Sequence, residues 1–131
     1  MIRLKAKAMS REERAELLDA IFHAVDRADL TIGQTLRFLR AEYLGKTQAA
    51  FAKMVSLSPR VLSQLETDTG NPTFHTVNQA FSPFGYRAGL VPKLGRRSAR
   101  VENLSEKRYQ DVLEAIQAVL RLNPRARSVC G

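Results

Sequence analysis

The chain has 131 residues, 44% of them hydrophobic and 26% charged, with a net charge of +8 and an isoelectric point near 10.3. That size fits one ordinary domain, or one small domain with extensions, and that balance excludes a disordered or fibrous chain. No apolar run approaches the roughly 18 residues of a membrane span, no apolar stretch follows the basic N-terminus as a secretory signal would require, and the single cysteine, Cys130, cannot form an internal disulfide. A cytoplasmic protein without a membrane partner is expected.

Charge is unevenly placed. Residues 1–30 carry six basic and six acidic side chains, 31–92 six and three, and 93–131 nine and four. The excess lies beyond residue 30 and points to a polyanionic partner.

In chain order, Ser10-Arg-Glu-Glu13 has the form of a capping box. Leu17, Leu18, Ile21, Phe22 and Val25 follow at helical spacing, which predicts a helix over 10–28. Thr31-x-x-Gln34 repeats the capping pattern, and Ile32, Leu36, Leu39 and Tyr43 share a face, which predicts a helix over 31–43 that Gly45 stops. Thr47 caps a third helix with Phe51, Met54 and Val55 directed inward. Ser58 followed by Pro59 starts a fourth, because proline at the first helical position leaves no N–H orphaned; Val61, Leu62 and Leu65 form its apolar face. "TDTGNP" is a loop, and Thr73 opens a fifth helix carrying Phe74, Val77 and Phe81. "YRAGLV", 86–91, reads as a short extended segment and "PKLGRRSAR", 92–100, as a basic linker. A last helix is expected over 105–122, with Tyr109, Val112, Leu113, Ile116, Val119 and Leu120 as its stripe.

The third and fourth helices are short, joined by a tight break, and carry the small Ala52 at the fifth position of the first. That combination lets two helix backbones approach closely and is the pattern of a helix-turn-helix. Thr47-Gln48, Phe51-Ala52, Leu57-Ser58, Leu62-Ser63, Leu65-Glu66 and Asn71-Pro72 together resemble the Xre/Cro-type helix-turn-helix family of prokaryotic and phage regulators. The resemblance covers about a third of the chain closely. It departs at Ser56, where the family usually has glycine in the turn.

The resemblance implies an all-α, lambda-repressor-like domain of about five helices over 31–91, with helical extensions at 1–30 and 92–131 and room for one short strand. It implies double-stranded DNA as partner. Ser58, Pro59, Arg60, Ser63 and Gln64 are the expected base contacts from a recognition helix over 59–66, and Lys46, Thr47, Gln48 and Asn71 the expected phosphate contacts. Arg40 and Glu66 are expected to form a structural ion pair. Lys93, Arg96, Arg97 and Arg100 form a candidate basic arm, with a solvated linker as the alternative.

A homodimer on a palindrome is expected, because one such motif rarely binds specifically alone. "FGYRAGLV" resembles the pairing strand of HipB-like antitoxins, and 81–91 is the expected interface; the N-terminal helix is another candidate and the C-terminal helix the runner-up. The functional expectation is a sequence-specific transcriptional regulator acting as a repressor. The alternative is an antitoxin that neutralises a protein toxin and autoregulates its operon. His23, His75 and Cys130 lack metal-ligand spacing, and no phosphate loop, nucleophile elbow or triad appears, so neither a metal, a cofactor nor enzymatic activity is expected.

Overall fold

The computed structural model describes residues 5–90 and 105–122. Six α-helices carry the fold: α1 (Arg11–Asp26), α2 (Ile32–Phe38), α3 (Gln48–Met54), α4 (Pro59–Glu66), α5 (Phe74–Phe81) and α6 (Glu106–Leu122). Each begins after a hydroxyl residue. Ser10 and Thr31 complete reciprocal capping boxes with Glu13 and Gln34. Thr47, Ser58 and Thr73 accept from Ala50, Val61 and Thr76 N–H at 3.1 Å, and Ser105 accepts from Arg108 N–H at the same distance. Each hydroxyl satisfies a donor the first turn would otherwise leave unpaired.

Helix ends obey a second rule. After α1, α3 and α4 the chain reverses through one residue in the left-handed region, at Ala28 (φ 61°), Ser56 (φ 60°) and Asp68 (φ 56°). In each case the next N–H reaches back five residues: Asp29 to the Ala24 carbonyl, Leu57 to Ala52 and Thr69 to Gln64. This is the Schellman arrangement, which usually employs glycine at that position. Glycine serves at two other reversals, Gly45 (φ 68°), ahead of α3, and Gly85 (φ 77°), after the 3₁₀ turn Ser82–Phe84.

α2 is central, touching α1, α4 and α6, while α3 packs chiefly on α4 and on a π turn (Leu39–Tyr43) that ends α2. Ile21, Leu36, Phe38, Leu39, Phe51 and Leu62 are fully enclosed, each burial contributing roughly 1.5–3 kcal/mol. Phe84 stacks on Phe51 with ring centroids 6.0 Å apart. The core runs without interruption from Met9 to Leu120.

The stripe expected of the C-terminal helix faces its own chain: Tyr109, Val112, Leu113, Ile116 and Leu120 are buried, and α6 packs on α1 and α2. That interior position corrects α6 as an interface between copies, because its apolar side is already covered. Gly33 sets the approach of α2 to α4, since a Cβ there would lie 2.6 Å from the Leu65 carbonyl oxygen.

Five apolar positions differ from the expected pattern, beginning with Phe22 and Val25 of α1, each 36% exposed. Met54 is 45% exposed, Ile32 47% and Phe74 62%. Met54, Ile32 and Phe74 stand at helix ends, while Val55, expected inward beside Met54, is buried. The expected strand is also absent among the described residues, of which 86–90 belong to that segment. Tyr86 instead donates its hydroxyl to the Leu18 carbonyl at 2.7 Å, and Ala88 N–H donates to Asn78 Oδ1 at 2.7 Å. The segment is pinned to α1 and α5 by side-chain bonds, which impose no ladder. Val91, the arm Lys93, Arg96, Arg97 and Arg100, and Cys130 lie outside the described residues.

Candidate nucleic-acid interface

α3 and α4 are short helices held in fixed relation by what lies behind them. Ala52 is buried where the two meet, and the turn between them is the Schellman reversal at Ser56. Pro59 occupies the first turn of α4 behind the Ser58 cap. The inner face of α4 buries Leu62, Leu65 and Glu66. Its outer face leaves Ser58, Pro59 and Arg60 exposed, with Val61, Ser63 and Gln64 half-buried along its flank.

Glu66 is the anchor behind this face. Its carboxylate accepts Arg40 Nε at 2.6 Å and Arg40 Nη2 at 2.9 Å, with side chains 3% and 0% exposed for Arg40 and Glu66. Such a two-pronged, charge-assisted contact fixes direction as well as distance. Arg40 Nη1 also donates to the Lys46 carbonyl at 2.7 Å. One guanidinium therefore ties the end of α4 to the approach to α3.

Gln48 completes that anchor. Its Nε2 donates to Glu66 Oε1 at 3.0 Å and the residue is buried. This corrects the expectation of a phosphate contact from the Gln48 side chain: the amide is turned inward because a buried carboxylate needs a further donor more than solvent does. Of the other expected phosphate contacts, Lys46, Thr47 and Asn71 are exposed, although the Thr47 hydroxyl already caps α3. The sequence held a signal for the inward turn, since Gln48 lies on the same helical face as Phe51, Ala52 and Val55.

Two further residues escaped the sequence reading. Asp68, left-handed and beyond α4, accepts the Thr31 hydroxyl at 2.6 Å and Gly33 N–H at 2.8 Å. Arg37 is buried and donates to the Leu120 carbonyl at 3.3 Å, joining α2 to the end of α6.

The charge pattern suits a phosphate backbone. Between Tyr43 and Leu65 stand Lys46, Lys53 and Arg60 and no acidic residue, and all three cations are exposed. Of the acids flanking this stretch, Glu66 is held by Arg40, Asp68 bonds the start of α2, and Glu42 is half-buried. An anion approaching α3 and α4 therefore meets three exposed cations.

Residues 36–88 match the family model for helix-turn-helix domains. Over this segment the chain is similar to that family. The match supports the Xre-type resemblance and, with it, DNA binding in transcription regulation. Neither a curated protein nor a solved structure matches the chain. Among the described residues, no group of three or more His, Cys, Asp or Glu side chains could hold a metal ion, and no helix is long and apolar enough to cross a membrane.

Proposed function

We propose that this helix-turn-helix protein is a repressor that occludes a palindromic operator as a homodimer, reading duplex DNA with α4. The observation that carries the reading is the two-sidedness of α4. Its rear is locked by Leu62, Leu65 and the Arg40–Glu66–Gln48 cluster, while Pro59 and Arg60 stand exposed on a front free of acids. In this reading Arg60 donates to guanine O6 and N7, Gln64 pairs with adenine, and Ser58, Pro59 and Ser63 line the contact. Lys46, Thr47 and Asn71 lie along the phosphates. Occlusion requires only occupancy, so no reacting group is needed.

The dimer contact is assigned to the apolar face shared by α1 and the segment after α5. Phe22 and Val25 are partly exposed, Phe22 lies 6.4 Å from the Tyr86 ring, and Leu90 is almost fully exposed. Selection of bound duplexes from a random pool tests the whole reading. A palindromic consensus with half-sites about one helical turn apart is expected. Purified protein that retains no duplex at low ionic strength would refute it.

A second reading, as an antitoxin, is favoured by one feature. α1 and α6 expose Glu12, Glu13, Asp19, Asp111 and Glu114 beside Arg11, Lys107 and Arg121, and those carboxylates are ones a basic protein partner would accept. Co-purification of a small basic protein that suppresses growth when expressed alone would favour this reading. Recovery of the homodimer alone would disfavour it.

A further inference from the structure

We propose that Gly70 is a specificity-determining residue that acts by leaving room for the side chain of Gln64. The inference rests on α4 reading bases. Gly70 lies in the loop after α4 with φ +74°, and a Cβ built there would stand 3.3 Å from Gln64 Oε1 and 3.5 Å from its Cδ. The amide of Gln64 therefore lies across the bare face of Gly70, at a distance that any side chain would contest.

The backbone is held at Gln64 and along the loop up to Thr69. The Gln64 carbonyl accepts Thr69 N–H at 2.9 Å and the Thr67 and Thr69 hydroxyls, each at 3.3 Å. Asp68 ties the middle of the loop to Thr31 and Gly33. With the main chain held at Gln64 and in the loop up to Thr69, the group that yields to a side chain at 70 is the end of Gln64, which is half-buried.

An amide pairs with adenine only when its donor and acceptor are both in register. A displaced amide therefore loses the paired geometry while the helix that carries it stays in place. Gly70 thus acts through Gln64, and its replacement should leave phosphate contacts and overall fold intact.

The test compares duplexes selected from a random pool by the full chain, by Gly70→Asn, by Gln64→Ala and by the double variant. Asparagine tolerates the left-handed region; Gly70→Ala serves as the second variant should Gly70→Asn fail to fold. Gly70→Asn should lower the preferred-to-other base ratio at least about fivefold at the base pair that Gln64→Ala also relaxes. It should add nothing in the Gln64→Ala background. Unchanged preference in Gly70→Asn alongside a shift in Gln64→Ala overturns the proposal, as does a further shift in the double variant. Preference altered by Arg60→Ala but by neither Gln64→Ala nor Gly70→Asn also overturns it, with DNA reading by α4 left standing. Absence of any selected sequence for the unaltered chain removes the DNA reading itself.

Discussion

The pair α3–α4 and the pair α1–α6 use charge in opposite ways. Along α3 and α4, Lys46, Lys53 and Arg60 are exposed and no acid lies between Tyr43 and Leu65 in sequence. Between α1 and α6, cations are matched at short range. Arg27 meets Glu106 at 3.2 Å and lies over the Tyr109 ring at 4.8 Å, Arg108 pairs with Glu16, and the Tyr109 hydroxyl donates to Asp29 Oδ2 at 2.5 Å. The edge of the His23 ring completes the packing on Tyr109, with centroids 4.9 Å apart. A surface whose charges are already paired is a fastener, whereas one whose like charges stand exposed suits an opposite charge from elsewhere. The largest buried charge pair, Arg40–Glu66, lies where these roles meet, facing inward beneath the exposed helix.

Breaking that inner pair should produce the largest effect. Glu66→Ala strands the Arg40 guanidinium in the core and removes the acceptor of Gln48. The expected loss is about 3–5 kcal/mol, a large share of the 5–15 kcal/mol typical of a whole domain. Urea unfolding should show a much lower midpoint. A change below about 1 kcal/mol would mean that Arg40 finds water in the variant and that α4 does not depend on the cluster.

Within the fastener, Tyr109→Phe keeps the ring and removes one hydroxyl bonded to a carboxylate, an expected loss of about 1.5–3 kcal/mol. Selected DNA sequences should be unchanged, since the contact is remote from α4. Titration sharpens the same point. Burial, then the Asp29 contact, raises the Tyr109 pKa, and burial raises that of Tyr86. Both hydroxyls therefore hold their protons in the folded state at a pH where the unfolded chain, with tyrosine near 10, releases them. The contribution is fully present below pH 10 and declines as pH rises beyond it. Tyr109→Phe should flatten that alkaline fall in the unfolding free energy.

On the open surface the expected effects belong to binding. Arg60→Ala should cost about 1–3 kcal/mol of discrimination at one base pair per half-site while stability barely moves. Lys46→Ala should weaken binding to all sequences alike and reduce the slope of log affinity against log salt by about 1 per subunit. Selection and salt titration on the two variants check the division. If both lose affinity with preference unchanged, Arg60 contacts phosphate rather than base.

The helices were readable because their signals are local. Ser10, Thr31, Thr47, Ser58, Thr73 and Ser105 each cap the helix that their hydroxyl and spacing predict, and a hydroxyl reaching an N–H three residues on needs nothing from the rest of the chain. What could not be read depends on the partner. The stripe of α6 declares an apolar side but not that α1 and α2 will cover it. Gln48 declares polarity but not that a buried carboxylate will claim its amide. Segment 86–90 has strand-like composition, yet a strand requires a ladder, and Leu18 and Asn78 bind it first. The face of α4 lies between these cases: its position follows from the sequence, while the Gln64 side chain lies against Gly70, in a loop beyond the helix.

The smallest expected effect tests the turn itself. Ser56 holds φ 60° between α3 and α4, a conformation that a Cβ disfavours. Its side chain is exposed, so removing it uncovers nothing in the core. Ser56→Gly removes the steric cost and adds freedom to the unfolded chain, two opposed terms whose sum should stabilise by up to about 1 kcal/mol. Asp68 has a similar φ, 56°, but Asp68→Gly should destabilise, because its carboxylate holds Thr31 and Gly33 N–H. Thermal unfolding of the two variants should therefore move in opposite directions. Movement in the same direction would show that backbone strain, and not the contacts of the side chain, governs both helix ends.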